Sequence, residues 1–160
     1  MNYLDLRLRS LLREATPPTA MAGAHRAVCD AAGSALAAAS ESDSPLVWLS
    51  GDDTLGQADA AADIAQELGL TLHVLRADDV PTGHAEIEAL AELWEREAML
   101  LGSALLVSCG TDPLPAAAIR FIEALRSLVF VSASQPLLLE RPCLRFTVDK
   151  LELKSALELG

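Results

Sequence analysis

Residues 51–61 read GDDTLGQADAA, two glycines separated by four residues directly after an apolar run. A loop that cradles phosphate uses this spacing because glycine lets backbone N–H groups approach the anion. It follows the second glycine with Lys, which reaches the outer phosphates, and then Ser or Thr, which holds magnesium. Gln57 and Ala58 stand at those two positions here, and Asp52 and Asp53 put negative charge where a polyphosphate would lie. Gly51, Thr54, Gly56, Gln57 and Ala58 therefore read as a vestigial phosphate loop, although an ordinary turn from strand to helix has the same two glycines.

A second chemistry is available at Cys109, which follows the apolar run ALLVS and precedes Gly110. A turn after a buried strand is where open α/β sheets hold ligands and nucleophiles. His73 or His84 would serve as base, with Asp78, Asp79 or Asp112 to orient it, giving a cysteine-dependent hydrolase or transferase. The competing reading is a packed, inert thiol, which Cys29 and Cys143 share. Metal chemistry has less to stand on. His84 and Glu86 form an H-x-E pair, but Pro142 and Cys143 are followed by Leu144, Arg145 and Phe146 rather than a second cysteine, and the three histidines lack HExxH spacing. No metal site is expected.

These residues need a scaffold, and the chain has one domain's worth of material: 160 residues, 51% hydrophobic and 22% charged. That balance excludes disorder, and no apolar run approaches a membrane span. The net charge of -11 is concentrated after residue 40, so a nucleic acid or an anionic membrane is not an expected partner. Three cysteines without CxxC spacing, and an N-terminus without the basic flank and apolar stretch of a signal, point to a reduced, cytoplasmic protein.

Leu4, Leu8, Leu11, Leu12 and Ala15 lie at helical spacing, predicting an amphipathic helix over 3–15; an alanine-rich helix over 19–39 follows. Residues 1–44 are thus an N-terminal helical arm, which docks on its own domain or, by a slight preference, on a neighbouring subunit. From Pro45 short apolar runs alternate with helical periodicity. Strands are expected at 46–50, 71–76, 103–108, 128–133 and 143–148, with helices near 57–68 and 84–101 and one around Ile119, Ile122 and Leu125. The fold class is α/β: a three-layer sandwich on a mainly parallel five-stranded sheet of the phosphate-loop type, over 45–160.

From Leu46 to about Leu151 the sequence resembles the AAA+ branch of the P-loop ATPases. The features after each strand recur in register, with Cys109 and Gly110 where the magnesium-positioning Asp and water-polarising Glu would fall. Asp112, Ser134 before Gln135 and Pro136, and the arginines Arg141 and Arg145 match other positions of the pattern, the arginines as groups that act on a neighbouring subunit. The resemblance implies a pseudo-ATPase, since lysine, metal-holding hydroxyl and both acids are replaced. It implies no required cofactor, ATP or ADP affinity that is weak at most, and a protein partner such as an active AAA+ domain or further copies of the chain. LELKSALELG, residues 151–160, suffices for one short helix but not a complete lid, as expected of a piece of a longer ATPase.

Overall fold

The computed structural model of the chain describes residues 6–18, 23–38, 46–110, 112–137, 139 and 141–149. The expected helix within 151–160 lies outside them. Five strands, β2 (Leu46–Ser50), β3 (Thr71–Arg76), β4 (Ser103–Gly110), β5 (Val129–Ala133) and β6 (Cys143–Thr147), run parallel to their neighbours. A sixth, β1 (Leu12–Ala15), pairs antiparallel with β3. The sheet is therefore six-stranded and mixed, in the order β1-β3-β4-β5-β2-β6, rather than five-stranded.

The helices are α1 (Leu6–Arg9), α2 (Gly23–Ala38), α3 (Thr54–Glu67), α4 (His84–Leu101) and α5 (Ala116–Ala124). Strand side chains alternate between faces, so each strand feeds two cores. Val47, Leu49, Leu72 and Val74 pack with Cys29 and Ala32 of α2 and Ala61 and Ile64 of α3. Leu46, Leu75 and Leu105 pack on the other face with Ile87 and Trp94 of α4 and Phe121 of α5. Three layers result. The face of each helix follows from direction of travel: β2 to β3 crosses the sheet one way beneath α3, and β3 to β4 to β5 returns beneath α4 and α5. Crossovers of one hand require a change of face when direction reverses.

The predicted helix over 3–15 is the main local difference. The described part of that segment forms a single turn, α1, and then the strand β1. Its leucines suit either state, but β3 offers an open row of backbone groups, and pairing Leu12 with Leu75 and Ala15 with Leu72 satisfies it. The turn before it, with Leu11 N–H donating to the Leu8 carbonyl at 3.0 Å, sinks Leu8 to 2% exposure in the α4/α5 core. Leu11 and Leu12, half-buried, pack against the same cluster, so all three leucines contact the core of their own domain. Leu8→Ala should accordingly cost about 2–5 kcal/mol, read as a lower urea midpoint at unchanged slope. A loss below about 0.5 kcal/mol, typical of surface positions, would separate the arm from the core.

Candidate functional site

β2 lies inside the sheet between β5 and β6, so the turn after Ser50 opens at the middle of the carboxyl edge. The chain leaves β2 towards α3 on one face, whereas after β5 it passes to Leu137 and Leu139 on the other. The crevice between β2 and β5 is thus a topological switch point, where open α/β sheets bind ligands. The sequence places the glycine loop there, and the loop is closed by the chain itself.

Gly51 turns at φ 110°, and a Cβ on it would lie 2.4 Å from the Val148 carbonyl oxygen and 2.5 Å from Asp149 Oδ1. Only glycine tolerates both demands. Asp53 then caps α3, its Oδ1 accepting from Gly56 N–H at 2.9 Å while its carbonyl accepts from Gln57 N–H at 2.9 Å. Asp52 N–H donates to Asp149 Oδ1 at 3.0 Å, and Asp53 N–H to the Val148 carbonyl at 3.3 Å. These four amides, the kind a phosphate would use, are thereby spent on the chain's own oxygens. His25 of α2 closes the top, its Nε2 3.6 Å from Asp53 Oδ2 and 3.2 Å from the Asp149 carbonyl oxygen. Its ring accounts for the second glycine: a Cβ on Gly56 would meet His25 Cε1 at 2.8 Å and the Asp53 carboxylate closer still.

Gln57, where a phosphate loop carries lysine, is 1% exposed. Its Oε1 accepts from Ser132 Oγ of β5, and its Nε2 donates to the Val148 carbonyl at 3.2 Å. The amide thus bridges β5 to the end of β6 across the switch point. Ala58 packs into the α2/α3 core, and Thr54 is exposed in the first turn, beside Leu55 at 79% exposure. Burial lifts the Asp59 carboxyl above its usual range, with the Asp53 charge adding to it, so the neighbourhood already carries its fill of negative charge.

The other sequence candidates lie apart. Cys109 Sγ donates to the Asp112 carbonyl at 3.0 Å, and burial, reinforced by the charges of Asp78 and Asp112, pushes the thiol up. A thiol held protonated is a poor nucleophile. His73 pairs in register with Leu105, four residues before Cys109 on β4, a separation of roughly 13 Å along the strand. It is buried edge-on to Trp94 with Nδ1 unpartnered, while His84 sits exposed against Glu88 at 3.1 Å. Among the described residues no group of three or more His, Cys, Asp or Glu is placed to hold a metal ion. Arg141 is turned inward, donating to the carbonyls of Ile122 at 3.3 Å and Ser127 at 2.9 Å. Ser134 and Gln135 are exposed, and the polar group that meets the loop from β5 is Ser132.

Sequence reasoning found the loop and missed three of its closures: His25, Ser132 and Asp149. Ser132 carried a signal, a lone hydroxyl inside the apolar run LVFVSA, and the other two carried none short of the fold.

No protein-family model and no curated protein matches the chain. Among solved structures it is similar to the E. coli MS115-1 HORMA:CdnC:Trip13 complex, with TM-score 0.45 and 14% identity over 88% of this chain and 67% of that one. It is also similar to Rhizobiales Trip13, with TM-score 0.44 and 21% identity over 79% of this chain and 58% of that one. A third is the Drosophila ORC bound to GC-rich DNA and Cdc6, with TM-score 0.47 and 13% identity over 85% of this chain and 30% of that chain. Among the described residues no helix is long and apolar enough to cross a membrane.

His73 provides a test of the buried geometry. Burial drives its pKa below the ordinary imidazole value, opposed by the Glu14 carboxylate across the β1/β3 pair. With the folded value below the unfolded one of about 6.5, the unfolded chain takes up the proton first. The neutral ring's contribution is present above about pH 6.5 and lost as pH falls below it. Thermal unfolding between pH 7 and pH 5 should therefore show a decline in Tm that is shallower in His73→Phe; equal slopes would place the ring in solvent.

Proposed function

We propose that this chain is a catalytically silent α/β domain of AAA+ resemblance that works through protein contacts rather than phosphoryl transfer. One observation carries the reading: in the loop that would hold a polyphosphate the amides of Asp52, Asp53, Gly56 and Gln57 donate to Asp149, Val148 and Asp53, and the position of a phosphate-loop lysine is filled by a buried Gln57 bonded to Ser132. A nucleotide would have to displace these groups and lie against Asp52, Asp53 and Asp149. Phosphoryl transfer depends on cations set against the developing charge, and the loop supplies carboxylates in their place.

The strand order supports a phosphate-loop ancestry over the commoner dinucleotide and flavin arrangements. In those the strand before the binding loop neighbours the second strand, whereas here β2 neighbours β5 and β6. We assign residues 45–160 to the α/β domain and 1–44 to an arm that braces it. The partner is a protein, with an active AAA+ domain as the first expectation and another copy of the chain as the second; reduced cysteines suit a cytoplasmic setting. The cysteine-dependent enzyme gains no support, since the Cys109 thiol is pushed up and bonded to a carbonyl.

Calorimetric titration with ATP and ADP, with and without magnesium, tests the reading. No saturable heat is expected up to millimolar nucleotide, and phosphate release should stay at background. Micromolar binding with turnover that Gln57→Glu abolishes would overturn it.

A further inference from the structure

The lateral edge of the sheet formed by β6 carries a feature that the loop does not use. β6 is the last strand, and among the described residues nothing pairs with its outer side. The ladder fixes which backbone groups are left over. Leu46 N–H donates to the Pro142 carbonyl and Val148 N–H donates to the Ser50 carbonyl, so even-numbered residues of this stretch bond inward to β2. The N–H and C=O groups of Cys143, Arg145 and Thr147 point outward. All three residues are exposed, while Leu144 and Phe146 turn to the opposite face, where Phe146 packs on the core shared with α2.

The middle residue of that open row is prepared for an anion. Arg145 holds its guanidinium 4.4 Å over the Trp48 ring, and its Nε donates to Ser50 Oγ at 3.3 Å. Trp48 is itself fixed, its Nε1 donating to the Ala133 carbonyl at 2.8 Å. In a chain with 23 acids and 12 bases, Arg145 has no carboxylate within ion-pair distance among the described residues, whereas Arg26 bonds Asp63 at 2.8 Å. A guanidinium stacked on an indole and tethered at Nε has given up rotamer freedom in advance, and its remaining N–H fork suits a carboxylate.

We propose that the outer edge of β6 docks an extended, carboxylate-bearing peptide segment of a partner protein, its backbone pairing with Cys143, Arg145 and Thr147 and an acidic side chain meeting Arg145 over Trp48. Strand addition gives affinity through main-chain bonds and specificity through the side chains beside them. The inference rests on the interaction reading above and names its surface; the nucleotide titration tests that reading independently of any peptide.

The intact chain is titrated into a fluorescein-labelled octapeptide alternating Val and Glu, with a Val/Lys counterpart and a Val/Glu peptide N-methylated at alternate residues. Saturable anisotropy is expected for the Val/Glu peptide alone, at least tenfold weaker with Arg145→Glu and several-fold weaker with Arg145→Gln, both variants melting as the parent does. Equal binding of the Glu and Lys peptides, unchanged binding by either variant, equal binding of the N-methylated peptide, or no saturation at millimolar protein each overturns the proposal. So does a dimer of the protein alone that Arg145→Glu dissociates, because the edge then belongs to a second copy. Self-association of Arg145→Val while the parent binds no peptide would make Arg145 a guard of the edge and overturn it too.

Discussion

A helix that begins at the carboxyl edge of a parallel sheet presents N–H groups with no partner in the helix and the positive end of its dipole, and something negative must meet them. In this protein the requirement is met from within. Asp53 reaches back to Gly56 N–H, and Asp149 and Val148, about a hundred residues further along, reach forward to the amides of Asp52 and Asp53. Much else depends on that arrangement. The two glycines are required because the same oxygens and the His25 ring crowd their Cα atoms, and Gln57 is buried because Val148 and Ser132 give both ends of its amide a partner. The turn is a structural joint between β2, β5 and β6.

The joint also explains why glutamine suits a position where a phosphate loop carries lysine. A buried ammonium beside Ser132 and one carbonyl would face desolvation with little compensation unless a phosphate came with it. Glutamine is neutral, offers one acceptor and two donors, and matches a hydroxyl on one side and a carbonyl on the other. The turn needs its two glycines for its geometry, and its interior is filled by the chain's own groups. One stretch of the surface, the open side of β6, is organised rather than merely exposed, with Arg145 held over Trp48.

The sequence made some of this readable and hid the rest for identifiable reasons. Buried parallel strands are continuous apolar runs, so LVWLS, TLHVLR and SALLVS announced themselves; of the helical stripe Ile87, Leu90, Ala91, Trp94, Ala98 and Leu101 all but Leu101 are buried in α4, and Leu93, off the stripe, is buried as well. The N-terminal leucines misled because their spacing satisfies a helix in isolation, and only the unpaired edge of β3 makes the strand Leu12–Ala15 the better state. At the site, the glycine spacing and the missing lysine were local and legible. His25 and Asp149 were not, since each acts across a distance in sequence that only the sheet order closes. Arg141 and Arg145 looked alike in the sequence, yet one is spent on the carbonyls of Ile122 and Ser127 and the other is held on Trp48.

The central claim is that the Asp52 and Gly56 amides of the loop already hold carboxylates, and the most direct measurement follows those amides by nuclear magnetic resonance. An amide proton bonded to a carboxylate shifts when that carboxylate is removed, so the Gly56 resonance should move in Asp53→Ala and the Asp52 resonance in Asp149→Ala. In the parent both should stay in place when inorganic phosphate or magnesium ATP is added to millimolar concentration. Amide resonances that ignore these substitutions yet move saturably with phosphate would mean that the site is open, and would contradict the account.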